Sequence, residues 1–196
     1  ARHDFHDAFM PREEALQKAD AAISTALRNN PQETNALLAS VIIDTAAGNF
    51  SSAQTTLDGI LGRQPNHATA LYIYSELELA RNRFDAALTR AQQAYELDPL
   101  SPWINVNLAI VHFWRSEYQP ALEAVQNATR IDNNYTWAYV WQAKIFHRQG
   151  QLSAAITSML QSADIDSASE VNSAYTGLLY LEIGDEEQAE QWFRHT

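Results

Sequence analysis

Lys144 and Arg148 lie four residues apart, which sets two cations on one face of a helix. Together they can receive a carboxylate or a chain terminus, although the same spacing also describes an ordinary solvated basic face. Trp103 and Trp137 stand 34 residues apart and head a tract of rings that includes Phe113, Trp114, Trp141 and Tyr175. Aromatic anchors bury a large area with few rotors to freeze, which is why they dominate binding hot spots. His147 falls in the same tract, and an imidazole there can respond to pH near neutrality. His3 and His6, interleaved with Asp4 and Asp7, have the spacing of a metal grip on a helical turn, but at a chain end that spacing assigns no metal. His112 shares a column with Phe146 and Tyr180 and reads as a packed histidine; His67 and His195 point to no site.

Other chemistry finds little support. The chain has no cysteine, so thiolate catalysis, disulfides and cysteine zinc sites are excluded. There is no glycine-rich phosphate loop, no His-Glu-x-x-His and no nucleophile elbow. The pairs Glu13-Glu14 and Glu186-Glu187 read as solvated helix faces. No catalytic residue, cofactor or metal site is expected, and the chain is read as a non-enzyme. Of its 196 residues, 46% are apolar and 19% charged, a composition that folds. The net charge of −11 repels phosphate backbones, so direct nucleic-acid binding is not expected. No apolar run approaches the ~20 residues that span a bilayer, and no signal peptide is visible at the start.

The elements that must position these residues are set by a repeat. Pro31, Pro65 and Pro99 recur every 34 residues, and the next two steps land on Asn133 and Ser167. In the same register stand Ala19, Ala53, Ala87, Ala121, Ala155 and Ala189, a column of small residues that lets two helices approach closely. A large column runs Leu16, Phe50, Phe84, Tyr118, Leu152 and breaks at Glu186. A third runs Ile23, Leu57, Ala91, Val125, Met159, Phe193, and a small one runs Val41, Ser75, Ala109, Ala143, Gly177.

Each period reads as two helices. The first helices are predicted near 34–47, 68–81, 102–115, 136–149 and 170–183, and the second near 12–29, 51–63, 85–97, 119–131, 153–165 and 186–196. Gly48-Asn49, Asn82, Ser116, Gly150 and Gly184-Asp185 separate them. Ser101-Pro102 reads as an N-cap with a first-turn proline, and Pro11 and Pro120 also sit near helix starts. The chain opens without Met, and its last helix stops at Thr196 without a polar capping helix. The array is therefore expected to continue beyond an end, or to pair with something through its ends.

These columns resemble the tetratricopeptide repeat superfamily over nearly the whole chain. The resemblance implies an all-α, right-handed α-solenoid of about five and a half helix-turn-helix hairpins. The domain is then one unit over 1–196: a partial first repeat at 11–33, full repeats at 34–67, 68–101, 102–135 and 136–169, and a truncated last repeat at 170–196. A narrower likeness, carried by residues 94–109 with their Leu-Asp-Pro-Leu-Ser-Pro phrase, is to the C-terminal repeats of bacterial winged-helix transcription regulators.

In this superfamily the first helix of each pair lines a concave groove. The implied groove columns here are Asn35, Thr69, Trp103, Trp137, Val171; then Leu38, Tyr72, Val106, Val140, Ala174; then Ala39, Ile73, Asn107, Trp141, Tyr175. Further columns bring in Glu76 and Lys144, Phe113 and His147, Trp114 and Arg148. The expected partner-binding groove is thus Tyr72, Trp103, Asn107, Phe113, Trp114, Trp137, Trp141, Lys144, His147, Arg148 and Tyr175. The alternative for the rings is packing between neighbouring first helices. The superfamily's basic clamp for acidic chaperone tails is absent, because its positions hold Leu38, Ile42 and Ile73. The expected function is a protein-interaction module that binds a peptide or helix. The alternatives are a sensory domain of a transcription regulator and a self-association module working through terminal helices. A protein or peptide partner is expected, with no membrane insertion by this segment. The location is cytoplasmic, or periplasmic if the segment belongs to a membrane-anchored regulator.

Overall fold

The computed structural model describes residues 12–166 and 169–194. These form eleven α-helices and no strand: α1 (Arg12–Asn29), α2 (Thr34–Ala46), α3 (Phe50–Arg63), α4 (Ala68–Ala80), α5 (Phe84–Leu97), α6 (Pro102–Trp114), α7 (Tyr118–Ile131), α8 (Thr136–Arg148), α9 (Leu152–Ile165), α10 (Glu170–Glu182) and α11 (Glu186–Phe193). From α2 onward they pack as consecutive antiparallel pairs, and the expected all-α solenoid is the observed architecture. His3, His6, Pro11, Ser167 and His195 lie outside the described residues, as do residues 1–10, and so do the side chains of Leu16 and Val171.

One left-handed residue closes the first helix of each pair. Gly48, Asn82, Ser116, Gly150 and Gly184 have φ of 79°, 57°, 61°, 74° and 83°. In each case the next amide bonds to a carbonyl on the last turn of the helix, as in Arg83 N–H to the Glu78 carbonyl at 2.8 Å and Glu117 N–H to the His112 carbonyl at 2.9 Å. This pattern satisfies carbonyls that the helix end leaves orphaned. Pro31, Pro65 and Pro99 fall in the turns between pairs, where a missing N–H costs nothing.

Four of the five first helices start on a side-chain cap. Glu33, His67, Ser101 and Ser169 each accept a hydrogen bond from the amide three residues on. Asn105 adds a second clasp to the same junction: its Nδ2 donates to the Pro99 and Ser101 carbonyls, each at 2.9 Å. The Leu-Asp-Pro-Leu-Ser-Pro phrase is therefore a helix-to-helix joint, with Ser101 as cap and Pro102 in the first turn.

Packing follows the columns. Ala53, Ala87, Ala121, Ala155 and Ala189 are buried, whereas Ala19 on α1 is only half-buried. At Gly177 a Cβ would come within 2.6 Å of the Phe193 ring, so the small column lets the last helix close on α10. The layers differ. First helices touch in succession, α2 on α4, α4 on α6 and α6 on α8, whereas successive second helices make no comparable contact. Helices that crowd on one side and spread on the other define a curved stack, with the first helices inside. Among the described residues, the α8 and α10 backbones approach less closely than the other neighbouring first helices, and the two meet through side chains, His147 with Tyr175 and Glu182. No described helix is long and apolar enough to cross a membrane.

Candidate partner-binding groove

The inner surface carries two adjoining hollows. The first, of about 360 Å³, lies between α4, α6 and α8 and is lined by Tyr72, Glu76, Trp103, Val106, Asn107, Ile110, Tyr135, Trp137 and Trp141. The second, of about 600 Å³, fills the wider joint between α8 and α10, with Trp137, Val140, Lys144, Met159, Asn172 and Tyr175 among its walls. Trp137 and Tyr135 line both, so the two hollows share a wall.

Helix geometry explains the grouping. Tyr72 and Glu76 are one turn apart on α4, and so are Trp137 and Trp141 on α8, as are Trp103 and Asn107 on α6; side chains at that spacing share a face. The Tyr72 hydroxyl donates to Glu76 Oε1 at 2.9 Å. Burial raises the Glu76 carboxyl above the usual carboxylate range, and the Tyr72 hydrogen bond only partly offsets this. Burial first, and then Glu76, also pushes up the phenols of Tyr72 and Tyr135.

Two features set the lining of the first hollow apart. Asn107 is only 1% exposed, and neither its Oδ1 nor its Nδ2 has a partner. An amide buried without partners forfeits its hydrogen bonds to water, a cost of roughly 1–3 kcal/mol per group. Trp103 and Trp137 are 45% and 57% exposed, large apolar surface left open to solvent.

The remaining expected groove residues sort differently. Phe113 belongs to the packing between pairs, edge-on to Trp141 and Trp114 with centroids 5.5 and 5.6 Å apart, and Trp114 stacks on Phe84. Neither lines either hollow; Phe113 is partly buried, whereas Trp114 is stacked on one side and 50% exposed overall. Lys144 and Arg148 do not converge on an open carboxylate site. Lys144 Nζ lies 4.3 Å from the centre of the Trp141 ring, and the Arg148 guanidinium lies 5.8 Å from that of Phe113. A cation finds a favourable field over an aromatic face, which draws each onto its own ring. Burial lowers the Lys144 pKa.

His147 Nδ1 is 2.8 Å from the Tyr175 hydroxyl, and its Nε2 is 2.9 Å from a Glu182 oxygen. Burial, and then Glu182, pushes the Tyr175 phenol up to about 12. His112 is packed as expected and meets Glu117 at 2.6 Å. No described group of three or more histidines and carboxylates is arranged to hold a metal.

Tyr135 is the functional candidate that the groove columns leave out. It stands in the N-cap column with Glu33, His67, Ser101 and Ser169, and it alone of the five makes no capping bond. A ring in place of a cap was the available signal, because local rules tend to be broken where a site needs the residue.

With this geometry, two profiles of the tetratricopeptide repeat family match the sequence, over residues 45–102 and 78–145. No protein of curated function matches. Among solved structures, the chain is similar to PilW, described as a widely conserved type IV pilus biogenesis factor, at TM-score 0.77 and 18% identity over 92% of this chain and 84% of that one. It is similar to a thermophilic tetratricopeptide protein of Thermus thermophilus, at TM-score 0.72 and 17% identity over 81% and 87%. It is also similar to YrrB, described as having an unusual peptide-binding site, at TM-score 0.58 and 17% identity over 89% and 90%. At these identities the likeness speaks for the fold.

Proposed function

We propose that this chain, a tetratricopeptide repeat solenoid, is a protein-interaction module that holds a peptide segment of a partner along the inner face of its first helices. The observation that carries the reading is Asn107. It is an amide sealed at the floor of an aromatic hollow with both of its polar atoms unpartnered. Once the amide turns towards the hollow, an incoming peptide backbone offers the matching N–H and C=O, and satisfying buried groups that the free protein leaves unmet is where binding free energy is gained. The half-exposed indoles of Trp103 and Trp137 supply the apolar anchors around it. Similarity to a protein with a peptide-binding site agrees with this reading.

The test is an affinity capture from host lysate, with wild type beside the Trp103→Ala/Trp137→Ala variant and mass spectrometry of what is retained. A partner held by wild type should bind the variant about thirtyfold or more weakly, the loss that truncating one hot-spot anchor brings. Helicity by circular dichroism should be unchanged, because both rings are half exposed. Loss of helicity in the variant would place them in the core and remove the site.

A further inference from the structure

We propose that the hollow between α4, α6 and α8 receives an arginine side chain of the partner peptide. This rests on the groove being a peptide site and names what the groove selects. Five rings from three successive pairs surround the space: Tyr72, Trp103, Tyr135, Trp137 and Trp141. An aromatic ring carries a negative quadrupole on its face, the surroundings in which a cation is stabilised; Trp141 already holds Lys144 over its ring, which leaves Tyr72, Trp103, Tyr135 and Trp137 for a guest. The hollow's one ionisable carboxyl, Glu76, sits among these rings. Its only partner among the described residues is the Tyr72 hydroxyl, and no described Lys, Arg or His pairs with it. A carboxylate held in apolar walls without a counter-charge favours a guest that brings one.

The choice of arginine follows from hydrogen bonding. Glu76 takes one hydrogen bond from Tyr72 and can take more, and Asn107 Oδ1 needs a donor once its amide turns towards the hollow; a guanidinium carries five N–H groups in a flat fork. Its faces can stack on indoles, and it gives up water more readily than an ammonium does. A quaternary ammonium would answer the rings but leave both oxygens unmet. The net charge of −11 steers cationic partners to the surface in the first place. Lys144 does not line this hollow; it sits over Trp141 beside the second one. It therefore disfavours a further basic residue on the α10 side and sets the register of the guest.

The test is calorimetric titration at physiological salt with three blocked pentapeptides: acetyl-Ala-Leu-Arg-Leu-Ala-amide, the same peptide with citrulline in place of arginine, and the same with lysine. Citrulline keeps the shape and loses the charge. Wild type should bind the arginine peptide at least roughly tenfold more tightly than the citrulline peptide, and more tightly than the lysine peptide. Glu76→Gln should abolish the arginine preference over citrulline. Equal binding of the arginine and citrulline peptides, an intact preference in Glu76→Gln, or no arginine binding at millimolar peptide each overturns the proposal. The two readings fail separately. If both peptides bind alike and both are lost in Trp103→Ala/Trp137→Ala, the groove stands and arginine selection falls. If the arginine peptide binds the double variant as it binds wild type, the groove falls with it.

Discussion

Glu76 is a carboxyl that the fold partly withdraws from water, and its protonation state should be visible in stability. Its folded pKa is raised, so it is the ionised form that folding disfavours. Below the ordinary carboxylate range the group is protonated whether folded or unfolded, and it costs nothing. As pH rises from the ordinary carboxylate value to the raised folded value the penalty grows, and above the folded value it is fully present. Glu76→Gln should therefore melt higher than wild type near neutrality, with the gain shrinking towards pH ~4. Melting curves at the two pH values decide this, and an equal or lower midpoint at neutral pH counts against it. At this scale the sequence is only partly legible. Period 34 places Tyr72, Trp103, Asn107, Trp137 and Trp141 on one surface, and the structure brings those five around one hollow. It does not say which polar atoms go unpartnered, because that depends on three helices at once. Helical spacing shows that Lys144 and Arg148 share a face, but not that each lies over a different ring, with Lys144 in the wall of the second hollow.

Helix ends are governed by a few local rules, and here the sequence can be read closely. The predicted helix limits agree with the observed ones within a residue from α2 to α10, because the left-handed turn residues and the caps recur with the period. The sequence pattern carries α11 to the end of the chain, and its described extent closes at Phe193. The likeness of residues 94–109 to regulator repeats rests on a phrase that the α5–α6 joint accounts for locally, through the Ser101 cap and the Asn105 clasp. Among the five turn residues Ser116 is the least suited to its place. Its φ of 61° crowds a Cβ that glycine lacks, and serine has less of the tolerance that asparagine shows at Asn82. Ser116→Gly should stabilise the protein by about 0.5–1 kcal/mol, the relief of left-handed strain less the added freedom of the unfolded chain. Urea unfolding at constant m reads this out, and an unchanged or lowered midpoint would contradict it.

At the scale of the molecule, position in the stack decides what a substitution costs. Ala19 and Ala121 occupy the same column, but Ala121 is sealed between its own pair and the next, whereas Ala19 is half-buried on α1. Ala121→Leu should cost about 1–3 kcal/mol by forcing α6 and α7 apart. Ala19→Leu should stay within about 0.5 kcal/mol. Denaturation of the two variants side by side separates a sequence column from its structural context, and equal losses would refute the distinction. The small-large-small register specifies the solenoid; the wider spacing of α8 and α10, and the hollow it leaves, have no counterpart in the register, since Ala143 and Gly177 are both small.

The contrast between an inner layer whose helices touch in succession from α2 to α8 and a spread outer one has a mechanical meaning. Such an array resists compression along its inner edge and yields along its outer edge, so its softest deformation is a change of curvature that opens or narrows the mouth of each hollow. A guest reaching across α4, α6 and α8 bridges two joints and acts as a strut. Tension on the array and occupancy of the groove then become two handles on one coordinate, each able to do work on the other.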